Sequence, residues 1–187
     1  MTWTIDTAHT TVGFVARHMG LSKVRGQFTK FDGQIEGDPS DITSARARFE
    51  VDLSSVESGS PDRDAHLKSA DFFDVEKHPT MTFVSKSVTG SGDNYKVVGD
   101  LSIKGVTKEV ELTYEHGGEG VDPYGNRKLG GTLTGTIKRS EWGLTWNVAL
   151  EAGGWLVSDN IKIEIDLQVA ESKEVVEQEA ELESASN

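Results

Sequence analysis

Between Ile161 and Val169 every second residue is apolar: Ile161, Ile163, Ile165, Leu167 and Val169 alternate with Lys162, Glu164, Asp166 and Gln168. A helix repeats its apolar stripe every three to four residues, so strict period two specifies a strand with one dry and one wet face. Ala45 to Leu53 does the same, with Ala45, Ala47, Phe49, Val51 and Leu53 on one parity and Arg46, Arg48, Glu50 and Asp52 on the other. Val97, Gly99, Leu101 and Ile103 lead into Lys104-Gly105, and Val110, Leu112 and Tyr114 follow. That reads as a hairpin whose glycine supplies a positive-φ turn position. Further strands are expected at 3–17, 24–37, 80–88, 129–138 and 144–152. Eight or nine strands of this kind predict an antiparallel barrel or sandwich. A chain of 187 residues accommodates this as one domain.

Helix is scarce. Ser60 can cap a helix that begins with Pro61, and Asp62 and Asp64 suit the positive end of its dipole. That helix should reach about Lys68, with a second turn opened by Ser69 and carrying Phe72 and Phe73. A comparable short turn is expected at His18 to Ser22. The dry parity of 129–137 reads Leu129, Gly131, Leu133, Gly135 and Ile137. Small interior residues forgo packing area and weaken a strand. They fit where a strand bends, or where something other than side chains fills the interior. A barrel of about eight strands can hold one ligand.

The net charge of −12 argues against nucleic acid and against adsorption onto an anionic membrane surface. The charge is uneven. Residues 171–187 hold six Glu and one Lys and read as a solvated acidic tail beyond a domain spanning 1–170. Residues 7–31 hold no acid and four cations, Arg17, Lys23, Arg25 and Lys30. These are either solvent-facing strand residues or an electropositive rim that accepts an anionic headgroup. No run approaches the ~20 apolar residues of a membrane-spanning helix. The opening Met1-Thr2-Trp3-Thr4-Ile5-Asp6 lacks the basic and apolar regions of a signal peptide. A cytoplasmic location is therefore expected, or a periplasmic one if a leader was removed.

Chemistry-bearing motifs are sparse. His9, His18, His66, His78 and His116 include no pair at metal-ligating spacing, and there is no cysteine. Ser69, His66 and Asp71 lack the G-x-S-x-G setting of a nucleophile elbow, and a capping serine commits its hydroxyl to the backbone. Arg63 and His66 share a helical face and can form a structural cluster with Asp71 or Asp74, or a headgroup site. Trp142 and Trp146 can serve as core or as pocket lining.

The ordered set of motifs resembles the YceI-like, polyisoprenoid-binding proteins over about residues 2–170. It begins with Trp3-Thr4-Ile5-Asp6, His9, Val12, Phe14 and His18, then Val24-Arg25-Gly26-Gln27-Phe28. It continues through Arg63, His66-Leu67, Ser69 and Asp71-Phe72-Phe73-Asp74-Val75 to Pro79. Gly99-Asp100-Leu101-Ser102-Ile103-Lys104-Gly105-Val106-Thr107 follows, then Ile137-Lys138-Arg139, Trp142-Gly143-Leu144 and Val157-Ser158-Asp159. The family often has Pro where Ala70 stands and Phe where Trp142 stands.

The resemblance implies an all-β, lipocalin-like eight-stranded antiparallel barrel with one or two short helical lid segments. Inside it would lie a long isoprenoid, either a polyprenyl phosphate or an isoprenoid quinone, held for sequestration or transport. With the dry strand faces, it nominates as cavity residues Phe14, Phe28, Phe49, Val51, Phe72, Phe83, Leu101, Ile103, Leu112, Leu133, Ile137, Trp142, Trp146, Ile163 and Ile165. The headgroup candidates are Arg17, Lys23, Arg25, Arg63 and His66. No catalytic residue, metal or cofactor is assigned. The expected partners are the lipid and, transiently, a membrane; a homodimer is left open. Of Phe72 and Phe73, one should face the ligand and the other anchor the lid. The competing readings are an enzyme acting on such a lipid through Arg63, His66 and Asp71, and a stress-related scaffold with no ligand.

Overall fold

The computed structural model describes residues 1–172. The chain runs through β1 (Thr2–Ile5), β2 (Thr11–His18), β3 (Ser22–Phe28), β4 (Phe31–Asp38), β5 (Asp41–Asp52) and β6 (Val56–Glu57). Helix α1 (Pro61–Lys68) precedes β7 (Thr80–Ser91), β8 (Asn94–Ile103), β9 (Val106–Val121), β10 (Arg127–Lys138) and β11 (Asn160–Glu171). Eight strands close a ring in the order β1-β4-β5-β7-β8-β9-β10-β11, sealed by β1 on β11 through Trp3↔Glu171 and Ile5↔Val169. The ring is antiparallel throughout, and closure leaves it no free edge. β2 pairs with β11 next to β1, through Val12↔Ile165 and Phe14↔Ile163, and carries β3 and β6 with it.

The described residues form eleven strands against the eight or nine expected: two long runs are interrupted, the short β6 is added, and one expected strand is lost. The run 3–17 breaks at Asp6, whose carboxylate accepts the Ala8 amide at 3.2 Å while its carbonyl accepts that of His9. The run 24–37 breaks at Thr29 and Lys30, whose amides both donate to the Ser55 hydroxyl, at 3.1 and 3.0 Å. Lys104 and Gly105 both have positive φ, the conformation of a two-residue hairpin turn of the type that matches strand twist. His18 to Ser22 is likewise the tip of the β2–β3 hairpin, with Met19 and Gly20 at positive φ, and not a helical turn.

The strand expected at 144–152 does not form. There Arg139 takes the carbonyls of Leu144 and Trp146, and Asn147 takes the amides of Val148 and Val157. Side chains satisfy this backbone, so the segment folds back on itself as an irregular hairpin, with the Leu156 amide donating to Val148 and the Leu150 amide to Gly154. The final strand reaches Glu171, and the Ser172 amide donates to Thr2. The remainder of the expected acidic tail lies outside the described residues. No helix among the described residues is long and apolar enough to cross a membrane.

Candidate functional site

Because β-strand side chains alternate, the dry parity of every ring strand converges on one lumen. That lumen holds a cavity of about 1230 Å³, its mouth included. Among the described residues its only polar lining comes from Thr10, Thr82 and Arg139. All the apolar residues nominated from sequence line it except Phe72 and Trp146. A second space of about 840 Å³ lies toward the opposite end, where Trp3, Ala45, Ala47 and Tyr114 form part of its wall. Phe49, Phe83, Leu133 and Leu167 border both spaces and form the waist between them. Burial pushes the Tyr114 hydroxyl up to about 12, and that hydroxyl donates to the Gly130 carbonyl at 3.1 Å.

The interior glycines also make room for their neighbours. Each is the floor on which a neighbour's side chain lies: Phe14 over Gly26, Phe83 over Gly99, Tyr114 over Gly131 and Leu112 over Gly135. Laid against the wall, these side chains leave the middle of the barrel open. A local bend coexists with this, as the β9–β10 register shifts between Gly130 and Gly131.

The segment 60–79 covers one end. Ser60 caps α1 and accepts the Arg63 amide, with Pro61 in the first turn, as its sequence dictates. Ser69 closes the helix: both its amide and its hydroxyl donate to the His66 carbonyl. The Phe73 amide then donates to the Leu67 carbonyl, which ties the turn back to α1. Phe73 lines the cavity. Phe72 does not: it is 6% exposed and packs against Trp146, with centroids 5.5 Å apart, and against His66 at 5.0 Å. Phe72 is therefore the anchor, and the cavity position assigned to it belongs to Phe73. Trp146 also sits behind the wall, because His66 and Phe72 hold it there. Trp142 lines the cavity and donates its indole N–H to the Leu101 carbonyl at 3.0 Å.

None of the headgroup candidates lines the cavity. On β2 the lumenal parity is Val12 and Phe14, and on β3 it is Gly26 and Phe28, so Arg17, Lys23 and Arg25 fall on the outer face. Arg25 pairs there with Glu164 at 2.6 Å. Arg63 donates to the Ser58 hydroxyl and carbonyl, at 2.8 and 2.6 Å, and His66 meets Asp71 at 2.8 Å. These contacts tie α1 to its flanking loops.

The charged residue that does reach the wall is Arg139, only 6% exposed. Its guanidinium faces backbone carbonyls: Nε donates to Ser158 at 2.9 Å, and Nη1 to Leu144 at 2.7 Å and Trp146 at 2.9 Å. Burial lowers its pKa from the usual arginine value, opposed by the charge of Asp159. Sequence reasoning used Arg139 only as a motif position, since arginine ordinarily reads as surface. Among the described residues no group of three or more His, Asp or Glu is placed to hold a metal.

A closed antiparallel barrel with an apolar lumen and a short helical cover is a lipocalin-like binding barrel. The chain belongs to the YceI-like domain family, whose sequence model matches residues 3–169. A UPF0312 protein of Staphylococcus aureus is 39% identical over 172 residues, covering 91% of this chain and 98% of that one. The crystal structure of the Campylobacter jejuni YCEI protein superimposes with a TM-score of 0.74 at 33% identity, covering 90% of this chain and 97% of that one. A polyisoprenoid binding domain from Saccharophagus degradans shares the fold, with a TM-score of 0.64 at 15% identity over 91% of this chain and 98% of that one.

Proposed function

We propose that this protein holds a long-chain isoprenoid lipid, a polyprenyl phosphate or an isoprenoid quinone, inside its barrel and acts as a carrier or reservoir. The observation that carries this reading is the cavity, whose wall among the described residues is hydrocarbon but for two threonines and Arg139. Such a wall offers a methyl-branched chain dispersion contacts and few directional demands. The Saccharophagus degradans domain of the same fold is described as polyisoprenoid binding, which supports the ligand class at the level of fold.

Energetics favour exchange with a bilayer over capture from water. Each methylene gains ~0.8 kcal/mol on leaving water. A bilayer interior is equally apolar, so that gain largely cancels between membrane and barrel. Wall packing and lid contacts set the remainder, which keeps loading reversible. The test is solvent extraction of purified protein followed by mass spectrometry. The expected result is a stoichiometric lipid whose homologues differ by five-carbon units. Recovery of no lipid from protein made in an isoprenoid-rich cell, and no uptake of added polyprenyl phosphate or quinone, would overturn the reading.

A further inference from the structure

Two loop tips stand side by side at one end of the barrel, next to Ile137, Arg139 and Trp142 of the cavity wall. One is the β2–β3 tip, carrying Met19 and Leu21. The other is the hairpin 147–157, carrying Val148 and Trp155. They are joined backbone to backbone: the Met19 amide donates to Leu156 at 2.8 Å, and the Ser158 amide donates to Arg17 at 3.0 Å. Arg139 fastens the base of the second tip through Leu144, Trp146 and Ser158. Leu21 is 79% exposed, Trp155 62%, Val148 45% and Met19 43%. Four large apolar side chains on two joined tips are not needed by the core.

The charge around them is specific. Arg17 and Lys23 stand opposite each other in the β2–β3 register, a like-charge pair that costs stability, and neither meets a carboxylate among the described residues. Nearby Glu164 is taken by Arg25 and Lys162, and Asp159 accepts from Ser140. The opposite end also exposes apolar groups, Val121 and Tyr124. There Asp38 and Asp41 flank the β4–β5 turn and Asp122 accepts the Tyr124 amide, while Glu119 and Glu171 are both engaged by Arg127. Exposed Trp and Leu flanked by unpaired cations is the chemistry of insertion at a lipid headgroup layer.

We infer that the tips 19–21 and 148–155 dock this end of the barrel on an anionic phospholipid bilayer, placing the Ile137 and Trp142 end of the cavity at the lipid surface. This rests on the carrier reading for its purpose but on the exposed tips for its evidence. Docking would let a chain pass between bilayer and barrel without crossing bulk water. The overall charge of −12 would repel the rest of the molecule and keep the contact short-lived.

The test is flotation of the full chain with phosphatidylcholine vesicles, with and without phosphatidylglycerol. The wild type should float with the anionic vesicles. Leu21→Ser with Trp155→Ser should weaken this roughly tenfold or more, since binding scales with inserted apolar area. Arg17→Gln with Lys23→Gln should remove the preference for phosphatidylglycerol and its salt dependence. As a check that needs no folding assumption, brominated phosphatidylcholine in the anionic vesicles should quench wild-type fluorescence but spare a Trp155→Phe variant. Absent flotation of the wild type, or flotation that survives the Leu21 and Trp155 changes, overturns the inference. So does light scattering that shows a dimer which those changes dissolve, since the tips would then bind a second copy. Extraction of the same samples separates the two readings: no isoprenoid in a wild type that still floats overturns the carrier reading and sustains docking.

Discussion

Phe49 lies flat over Gly33, its direct partner across the β4–β5 ladder. A Cβ at position 33 would stand 2.5 Å from the ring's Cδ1 and 2.9 Å from the Arg48 carbonyl oxygen, both far inside contact distance. Gly33→Ala should therefore push the ring toward the lumen and shift the strand. Overpacking of this kind costs about 1–3 kcal/mol. A chain of this size should lose roughly 2–4 °C in Tm per kcal/mol. Lipid uptake should fall as well, because Phe49 borders both halves of the lumen. Repeating the substitution beside Phe49→Leu checks the cause, since part of the loss should disappear once the ring is gone.

Phe72 and Phe73 should separate stability from binding. Phe72 is enclosed by His66, Trp146 and the Arg139 guanidinium, which lies 5.7 Å from its ring centroid. Phe72→Ala should cost ~3–5 kcal/mol, as large aromatic truncations in cores do. Phe73 is half-buried and faces the cavity. Phe73→Ala should cost visibly less in chemical denaturation while reducing retained lipid. Equal effects on both readouts would mean that the two rings share one role.

The barrel was legible because strand parity is a local property. Alternation at 161–169 and 45–53 names the lumenal face without knowledge of any partner strand, and those residues line the interior except Leu53, which is buried in a 3-10 turn after β5 ends at Asp52. What sequence could not supply depends on distant groups. Whether the chain breaks at Thr29 depends on the Ser55 hydroxyl, and whether 144–152 pairs as a strand depends on Arg139 and Asn147. That Phe72 and Phe73 diverge follows from adjacency alone. Which one turns inward shows only in the packing of Phe72 against Trp146. Gly131 and Gly135 were visible as missing side chains, but the reason, Tyr114 and Leu112 resting on them, lies on another strand.

Arg139 offers a sharper test of how its end of the cavity is built. Removing its guanidinium leaves the Leu144, Trp146 and Ser158 carbonyls without their donor. A buried polar group left unpaired costs about 1–3 kcal/mol. Arg139→Met should thus destabilise by at least that amount and raise hydrogen exchange across 143–158. Arg139→Lys should recover little, because an ammonium cannot reproduce the planar fork that spans separate carbonyls. Exchange that rises uniformly over the barrel, with no excess in 143–158, would show that the clamp is not local.

Asp6 should govern part of the acid limb of stability. Lys128 bonds its carboxylate at 2.8 Å, and His9 lies 3.1 Å away. The Lys128 hydrogen bond holds its pKa well below the ordinary carboxylate range, with burial opposing. In the unfolded chain the same group titrates near its usual value of about 3.9. A pKa depressed by folding contributes stability that is complete above the unfolded pKa, and that contribution drains away as pH falls toward the folded one. Melts taken from neutral pH down through pH ~4 and below should therefore show the wild type losing stability partly through Asp6. Asp6→Asn should lower Tm at neutral pH, since it removes the carboxylate from Lys128 and from the Gln168 amide that also donates to it. The same variant should decline less steeply in acid, so the two curves converge as pH drops. Asp52, Asp122 and Glu164 are also shifted downward by their own partners, so a residual slope must persist in the variant. Curves that stay parallel would place the acid sensitivity in those other carboxylates and leave Asp6 only its role in the turn after β1.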